Sequence, residues 1–313
     1  DAPASGIIAG VAFDTGGRGD GTFNDSAATG GERAASELGV EIKELEAAVD
    51  EDRKANLELL AGDGAQVIVG VGFMFTDPMT EVAAAYPDIH FGIVDSVVDA
   101  PNVSSLLFAA NQGSFLVGAA AALKSETGHI GFIGGQEIDL IKEFEAGYTA
   151  GAKYVNPEII VDVKYLGPAG DNSAWGNVAG AKEIDAGWYA AGADIIYTAA
   201  GGSGAGTIDA AVEAGEGKWA IGVDSDQYLT ATPDQQAHIL TSMLKRVDVG
   251  VGAFVADALA GVDTAGVKTW GFAEGGVGYT TTGGYIDDIT AKIDEFAAKI
   301  ASGEVVVPTD PKA

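Results

Sequence analysis

The sequence predicts an α/β fold made of two lobes, each with a parallel β-sheet covered by helices. Short apolar runs alternate with amphipathic stretches along nearly the whole chain, which is the pattern of repeated βαβ units. These runs are too many for one ordinary doubly wound sheet. A chain of 313 residues that is 47% apolar can also bury two cores. Two similar lobes therefore account for the pattern.

The apolar and amphipathic runs give the predicted elements in order. Strands are predicted at 6–13, 40–46, 66–71, 89–94, 103–109, 129–133, 159–165, 194–199, 218–223, 238–243 and 268–272. Helices are predicted at 24–38, 51–61, 77–85, 112–125, 137–154, 174–190, 204–215, 246–261 and 285–302.

The lobes are predicted to be discontinuous in sequence. One β/α series covers residues 6–110, and a second begins near residue 128. We assign the helix at 246–261 to the first series, which gives lobes of 1–110 plus 246–274 and 111–245 plus 275–313. Because the chain then crosses between lobes more than once, a hinge and closure around a ligand are expected.

The loop after the first strand is rich in groups that bind ligands. Residues 13–26 read FDTGGRGDGTFNDS, with several glycines, several carboxylates and one internal aromatic residue. In open α/β sheets, ligands bind beyond the carboxyl ends of the strands, where this loop is predicted to lie. Glycines let backbone N–H groups approach a ligand closely. The loop is therefore a candidate binding segment.

Three carboxylates, those of Asp14, Asp95 and Asp224, follow the ends of predicted apolar strands. A carboxylate at such a place can accept paired hydrogen bonds from vicinal hydroxyls or from the N–H groups of a base. The alternative is that each caps the helix that follows. Their recurrence at three strand ends, with Asn24 nearby, favours ligand binding.

Two aromatic rings and one cation complete the candidate set. Phe23 lies at a loop-to-helix junction and Tyr197 near the carboxyl end of a strand. Two rings can hold a planar ligand by stacking, although each could instead anchor its helix to the sheet. Lys245 follows a strand in a chain poor in cations, and its ammonium group could donate to a ribose oxygen or form a surface ion pair.

The segment GGSGAG at 201–206 follows a predicted strand and opens a helix. An acid, Asp224, ends the next strand, as in dinucleotide sites, but the spacing is not Gly-x-Gly-x-x-Gly. A tight turn in any α/β lobe gives the same pattern. On the residues alone, the alternative to such a turn is contact with a ligand other than a dinucleotide.

Composition excludes several classes of function. Acidic residues outnumber basic ones by 46 to 17, and the net charge of −29 opposes binding to nucleic acids and anionic lipid surfaces. Lineage composition or adaptation to high salt could account for this acidity. The chain has no cysteine, its three histidines are scattered, and no apolar run reaches the length of a membrane span. Neither a metal site nor an enzyme active site is predicted.

The motifs, taken in order, resemble those of the basic membrane protein family, the PnrA-like nucleoside-binding lipoproteins of ABC importers. Besides the opening loop, they are GVGF at 70–73, IVDS at 93–96, NQGSFLVG at 111–118, GFIGG at 131–135, FEAGY at 144–148, AAGGSG at 199–204, GVDSDQY at 222–228 and LTSMLKRVD at 240–248. The resemblance implies a type I periplasmic binding protein fold with a hinge and an interlobe cleft. It also implies capture of a nucleoside, purines being favoured, and delivery to an ABC permease, with no cofactor and no catalysis.

The resemblance also implies a role for each candidate residue. The base would stack between Phe23 and Tyr197, and Asn24 and Asp95 would read its polar edges. The remaining residues would surround the ribose or allow close approach of the backbone: Asp14, Asp224, Lys245, Gly201 and Gly202.

The implied location is extracytoplasmic, at the cell surface or in the periplasm, with an N-terminal lipid anchor as the only membrane contact. Residues 1–5, which read DAPAS, are small and polar, as in a tether left after a signal peptide or lipoprotein anchor is removed, and an arbitrary starting point is equally compatible with them. Two other functions stay open on the residues alone. One is a monosaccharide-binding protein of the same fold, and the other is an NAD-dependent oxidoreductase.

Overall fold

The chain forms two compact units, as seen in a computed structural model that describes residues 6–312. Unit 1 comprises the chain up to Phe108 together with Arg246–Trp270. Unit 2 comprises Ala109–Lys245 and the chain from Gly271 onward. The tether predicted at residues 1–5 lies outside the described residues.

Strands and helices alternate along most of the chain, as the sequence predicts. The strands are β1 Ile8–Phe13, β2 Glu41–Glu46, β3 Val67–Val71, β4 His90–Val94, β5 Val103–Phe108, β6 His129–Glu137, β7 Ile160–Pro168, β8 Ile195–Ala199, β9 Trp219–Asp224, β10 Ile239–Lys245, β11 Gly266–Trp270 and β12 Val277–Tyr279. The α-helices are α1 Phe23–Leu38, α2 Asp50–Gly62, α3 Thr76–Ala85, α4 Ala110–Lys124, α5 Asp139–Val155, α6 Val178–Ala191, α7 Gly204–Ala214, α8 Pro233–Gln236, α9 Val247–Leu259 and α10 Thr290–Ala301.

The sheet of unit 1 is parallel throughout, with the strand order β11-β5-β4-β3-β1-β2. The central strand β3 reads VIVGV, and all five residues are buried. A parallel strand is continuously apolar when helices cover both faces of its sheet, because side chains on both faces are then buried. The strand order reverses between β1 and β3, which creates the switch point where ligands bind in doubly wound sheets.

Unit 2 repeats this arrangement with the order β12-β10-β9-β8-β6-β7. Only the three-residue strand β12 is antiparallel among the paired strands of the described chain. Here the reversal falls between β6 and β8, so each unit has its own switch point. The predicted α/β fold with two parallel sheets is confirmed.

The structure differs from the predicted elements at several boundaries. β6 continues to Glu137, so the glycines 134 and 135 lie inside a strand instead of ending one. α6 begins at Val178 and not at residue 174, because Asn172–Trp175 form a separate 3₁₀ turn capped by Asp171. β12 and α8 are three and four residues long, which is too short to show a hydrophobic period.

Helices α4 and α5 of unit 2 pack with their backbones in close contact. A side-chain carbon added at Gly118 would overlap the carbonyl oxygen of Tyr148, and one added at Gly151 would overlap that of Phe115. The two helices therefore approach one another through positions that tolerate no side chain.

No helix within residues 6–312 has both the length and the apolar character needed to cross a membrane.

We expect Gly151→Ala to destabilise the protein by about 1–3 kcal/mol, because the added methyl group forces α4 and α5 apart. The control is Gly187→Ala, on the exposed side of α6, where an added carbon meets nothing within 4 Å. That change should stabilise by up to about 1 kcal/mol, since alanine favours a helix. Urea denaturation measures both. Equal effects of the two substitutions would refute the close packing.

Candidate functional site

Unit 1 carries a cluster of polar and aromatic groups at its switch point. Asp14 directly follows β1, and Gly72, with φ of 115°, directly follows β3. A carbon added at Gly72 would lie 3.0 Å from Asp14 Oδ2 and 3.6 Å from the ring of Phe23. The structure thus brings two of the predicted site residues, Asp14 and Phe23, to one place beside a turn that only glycine fits.

Asp14 forms a buried ion pair that the sequence did not reveal. Arg53, in the first turn of α2, donates from Nε and Nη2 to Asp14 Oδ1 at 2.8 and 2.6 Å. Arg53 is only 3% exposed, and it also donates to Asp50. Burial raises the pKa of Asp14 above its ordinary value, and the hydrogen bonds and charge of Arg53 oppose that rise. The other oxygen, Oδ2, lies on the Gly72 side.

The glycine-rich loop is held by carboxylates from its own sequence. Asp20 accepts the backbone N–H groups of Thr22, Asn24 and Asp25 at 2.9, 2.9 and 3.2 Å. Asp25 accepts those of two loop glycines at 2.8 and 2.9 Å, namely Gly19 and Gly21. A carboxylate is well placed at the N-terminus of a helix, where backbone N–H groups lack intrahelical acceptors. These bonds start α1 and fix the orientation of its first residues.

Asn24 is 2% exposed and points its amide at this capping carboxylate. Its Nδ2 donates to Asp20 Oδ2 at 3.1 Å. Its Oδ1 is buried and has no hydrogen-bond partner among the described residues. A buried acceptor of this kind is costly unless a ligand or water supplies a donor.

Asp95 and Asp224 share an unusual backbone conformation. Among residues 6–312 they are the only non-glycine residues with positive φ, and both have a φ of 63°. They occupy corresponding places, at the ends of β4 and β9, the strands next to β3 and β8. Such strain costs about 1–3 kcal/mol and is found mainly at functional sites. Both are therefore strong candidates for ligand contacts within their own units.

Unit 2 carries Trp175 at its switch point. A carbon added at Gly135, near the end of β6, would overlap the Trp175 ring. Carbons added at Gly201 and Gly202, just after β8, would lie 3.5 and 3.4 Å from the Trp175 carbonyl oxygen. The half-buried indole thus packs on Gly135, while the Trp175 carbonyl group faces Gly201 and Gly202 at the turn that opens α7. The helix predicted at 174–190 includes this residue, whereas the structure places it in the 3₁₀ turn before α6.

Tyr197 lies elsewhere, in the apolar core of unit 2. Its side chain is fully buried in β8, with ring centroids of Phe132 and Tyr148 at 5.6 and 5.3 Å. Its hydroxyl is 3.4 Å from Ser114 Oγ, and burial raises its pKa well above the ordinary value. Because core side chains enclose this ring, the expectation that it stacks on a base is corrected.

Lys245 ends β10 beside Asp224, since Leu244 of β10 pairs with Asp224 of β9. Its side chain is 3% exposed, and Nζ lies 5.7 Å from the centroid of the Phe144 ring. Burial at this depth excludes the surface ion pair considered as an alternative. The strand end therefore supplies a buried hydrogen-bond donor in unit 2.

The chemistry of the two clusters suits an uncharged ligand with hydroxyl and N–H groups. The predicted carboxylates supply acceptors, and the aromatic rings of Phe23 and Trp175 supply flat apolar surfaces. The cation closest to Asp14, that of Arg53, is already engaged by carboxylates. Within the described part of the chain, no group of three or more metal-binding side chains forms a metal site.

Comparison with known proteins identifies the family. The family of PnrA-like ABC transporter substrate-binding proteins matches residues 7–311. This chain belongs to that family. Its members bind a solute outside the cytoplasm and work with ABC transporter permeases. The resemblance stated from the sequence motifs is thereby confirmed.

Several curated relatives are similar along most of their length. The chain is 35% identical to the CD4+ T-cell-stimulating antigen of Listeria monocytogenes, covering 95% of this chain and 87% of that protein. It is 33% identical to basic membrane protein A of Borreliella burgdorferi, covering 94% and 86%. It is also 33% identical to a Lactococcus lactis protein named ABC transporter nucleoside-binding protein BmpA, covering 97% and 89%.

Solved structures agree on the fold. An ABC transporter solute-binding protein from Aeropyrum pernix superposes with a TM-score of 0.83 at 28% identity, covering 98% of this chain and 95% of that one. A solute-binding protein from Agrobacterium radiobacter in complex with D-arabinose gives 0.64 at 18% identity, covering 94% and 99%. The fold is that of periplasmic solute-binding proteins, as the sequence motifs implied.

Strain at Asp95 can be tested by comparing two substitutions at one position. Alanine is penalised by about 1–2 kcal/mol in the left-handed region whereas glycine is not, so Asp95→Gly should be more stable than Asp95→Ala by about that amount. The control is Asp99, an exposed loop residue without positive φ, where the alanine variant should be at least as stable as the glycine variant. Chemical denaturation of the four variants gives the free energies of unfolding to be compared. The same order at both positions would disprove strain at Asp95.

The Asp14–Arg53 pair gives a second test. Arg53→Met leaves the Asp14 carboxylate buried without its cation and should destabilise by about 3–5 kcal/mol at pH 7. Adding Asp14→Asn should recover part of the loss. Because the folded state raises the pKa of Asp14, the cost of its ionised form disappears on acidification, and the Arg53→Met deficit should shrink towards pH 4.

The matched control for that test is Lys54→Met, next on the same helix, whose ion pair with Glu81 is exposed and screened by solvent, so that its loss should change stability little. Urea denaturation at the two pH values gives the comparison. A deficit for Arg53→Met that is as small as that of the control, or that does not depend on pH, would contradict the buried pair.

Proposed function

We propose that this protein captures a nucleoside, with purines favoured, and delivers it to an ABC permease. The observation that carries the proposal is a half-buried aromatic ring at each switch point: Phe23, beside the buried acceptor Asp14, in unit 1, and Trp175, beside the glycines, in unit 2. A nucleoside is a flat heterocycle joined to a hydroxylated ring, and it needs both kinds of group.

In this proposal Phe23 of unit 1 and Trp175 of unit 2 each offer a ring on which a base stacks. Trp175 takes the place that the sequence assigned to Tyr197, because the Tyr197 ring is enclosed by Phe132 and Tyr148. Stacking of a base on an aromatic side chain is worth about 1–3 kcal/mol and tolerates different bases. Selection among bases then depends on the polar side chains.

The polar residues keep the roles that the resemblance implied. Asn24 and Asp95 contact the polar edges of the base, and Gly201 and Gly202 allow close approach of the backbone. The ribose hydroxyls are bound by three residues: Asp14, Asp224 and Lys245. Vicinal hydroxyls are good donors to carboxylates, whose two oxygens accept in parallel.

The charge of the protein favours an uncharged nucleoside over a nucleotide. The net charge is −29, so a phosphate would be repelled in the absence of dedicated cations. Arg53 is bound to Asp14 and Asp50, which leaves it poorly suited to a phosphate. The name of the Lactococcus lactis relative supports the same ligand class.

A monosaccharide is the second candidate. Solved structures of the same fold hold sugars such as D-arabinose, although their identity of 18% speaks for the fold alone. A sugar would use the same carboxylates. We further propose an N-terminal lipid anchor as the membrane contact of this chain.

A thermal-shift screen tests the ligand class. A ligand that binds only the native state raises stability by RT ln(1 + [L]/Kd), so the rank order of melting temperatures reports affinity. We expect adenosine, guanosine or inosine to give the largest shift, and ribose, free bases and NAD(H) to give little. A dominant shift from ribose would support the sugar, and one from NAD(H) the oxidoreductase.

Substitutions test whether the two rings and the Asp224 carboxylate bind the nucleoside. Phe23→Ala and Trp175→Leu should each weaken nucleoside binding by about 1–3 kcal/mol through lost stacking. Asp224→Ala should abolish the thermal shift without unfolding the protein. The control is Tyr154→Ala, a ring that packs on Phe115 and Phe296 away from either switch point. Full affinity in Trp175→Leu would remove Trp175 from the site.

A further inference from the structure

The side-chain amide of Asn24 has only one orientation that its surroundings allow. Its neighbour Asp20 is a carboxylate, and an ionised carboxylate accepts hydrogen bonds but donates none. The amide must therefore turn Nδ2 towards Asp20, at 3.1 Å. Its oxygen is then directed away from Asp20 as the group that remains for a ligand.

That oxygen is buried, on a side chain that is 2% exposed, and it has no hydrogen-bond partner within residues 6–312. A buried acceptor without a donor is unfavourable, and a bound molecule that supplies an N–H or O–H group relieves the cost. A molecule that offers another acceptor at the same point does not. The site is thus biased towards donors before any ligand arrives.

We propose that Asp20 is a positioning residue that makes Asn24 a hydrogen-bond acceptor, so that the site selects nucleosides whose base presents a donor there. This inference rests on the proposed function, in which Asn24 contacts the base. The ligand class it names is purine nucleosides with an amino group or a protonated ring nitrogen, in preference to bases whose exposed edge carries only acceptors.

Asp20 also has a structural part, because it accepts three backbone N–H groups at the start of α1. Asp20→Asn affects the two parts differently. With its oxygen at the Oδ1 position, the new amide still accepts the N–H groups of Thr22 and Asp25. Its NH₂, at the Oδ2 position, no longer accepts the Asn24 backbone N–H and, as a donor facing a donor, forces the Asn24 amide to turn over. Asn24 would then offer a donor to the ligand, and the preference should weaken or invert.

The matched control is Asp25→Asn. It removes the same charge from the same loop, and Asp25 accepts the backbone N–H groups of Gly19 and Gly21 but forms no hydrogen bond with the Asn24 side chain within residues 6–312. Any general effect of loop charge or loop order should appear in both variants. An effect on the Asn24 amide should appear only in Asp20→Asn.

The experiment is titration calorimetry with adenosine and with purine riboside, which lacks the amino group. We expect the wild type and Asp25→Asn to bind adenosine about tenfold more tightly, the difference made by one hydrogen bond. Asp20→Asn should bring the ratio of the two dissociation constants to one or below. Asn24→Leu, which removes the acceptor at similar volume, should also bring it to one and serves if Asp20→Asn does not fold.

An unchanged ratio in Asp20→Asn or in Asn24→Leu, with both ligands weakened equally, would overturn the inference and leave Asp20 a purely structural cap. A wild type that binds both nucleosides equally would overturn it as well. Failure of the proposed function is a separate result, since the wild type would then bind neither nucleoside while giving a thermal shift with a sugar.

Discussion

Parallel strand pairing is the constraint on which the rest of this structure depends. A strand that pairs in parallel with its predecessor must be reached by a crossover, so all carboxyl ends of a sheet lie along one edge. In both sheets the order also reverses once, between β1 and β3 and between β6 and β8. These two features collect loops that are far apart in sequence, and the candidate residues of each unit come from those loops.

The same edges contain residues with a strained backbone or an unsatisfied hydrogen-bonding group. Asp95 and Asp224 have left-handed backbones at corresponding strand ends, and Asn24 has a buried acceptor without a partner in the described part of the chain. Elsewhere the packing is close, as in the contact of α4 with α5 through glycines. A rigid scaffold of this kind can stabilise strained groups that a ligand later satisfies.

Charge is distributed differently inside and outside the protein. The chain is strongly acidic overall, yet the cation of Arg53 is buried against Asp14, and Lys245 is buried over the ring of Phe144. Buried cations require nearby acceptors or aromatic faces, because desolvation is costly. Arg53 is thereby occupied by carboxylates, and Lys245 provides a donor at a strand end, in agreement with the neutral ligand proposed above.

The sequence by itself determined the fold class, the order of the main elements and the residues at the strand ends. These follow from local patterns, since period and burial are written in consecutive residues. Only the tertiary structure decided which of those residues meet. All five residues of β8 are buried, so alternation could not tell that Tyr197 faces the core. Likewise, Arg53 and Trp175 reach their places through packing between distant segments and an irregular turn, neither of which has a local periodic signal.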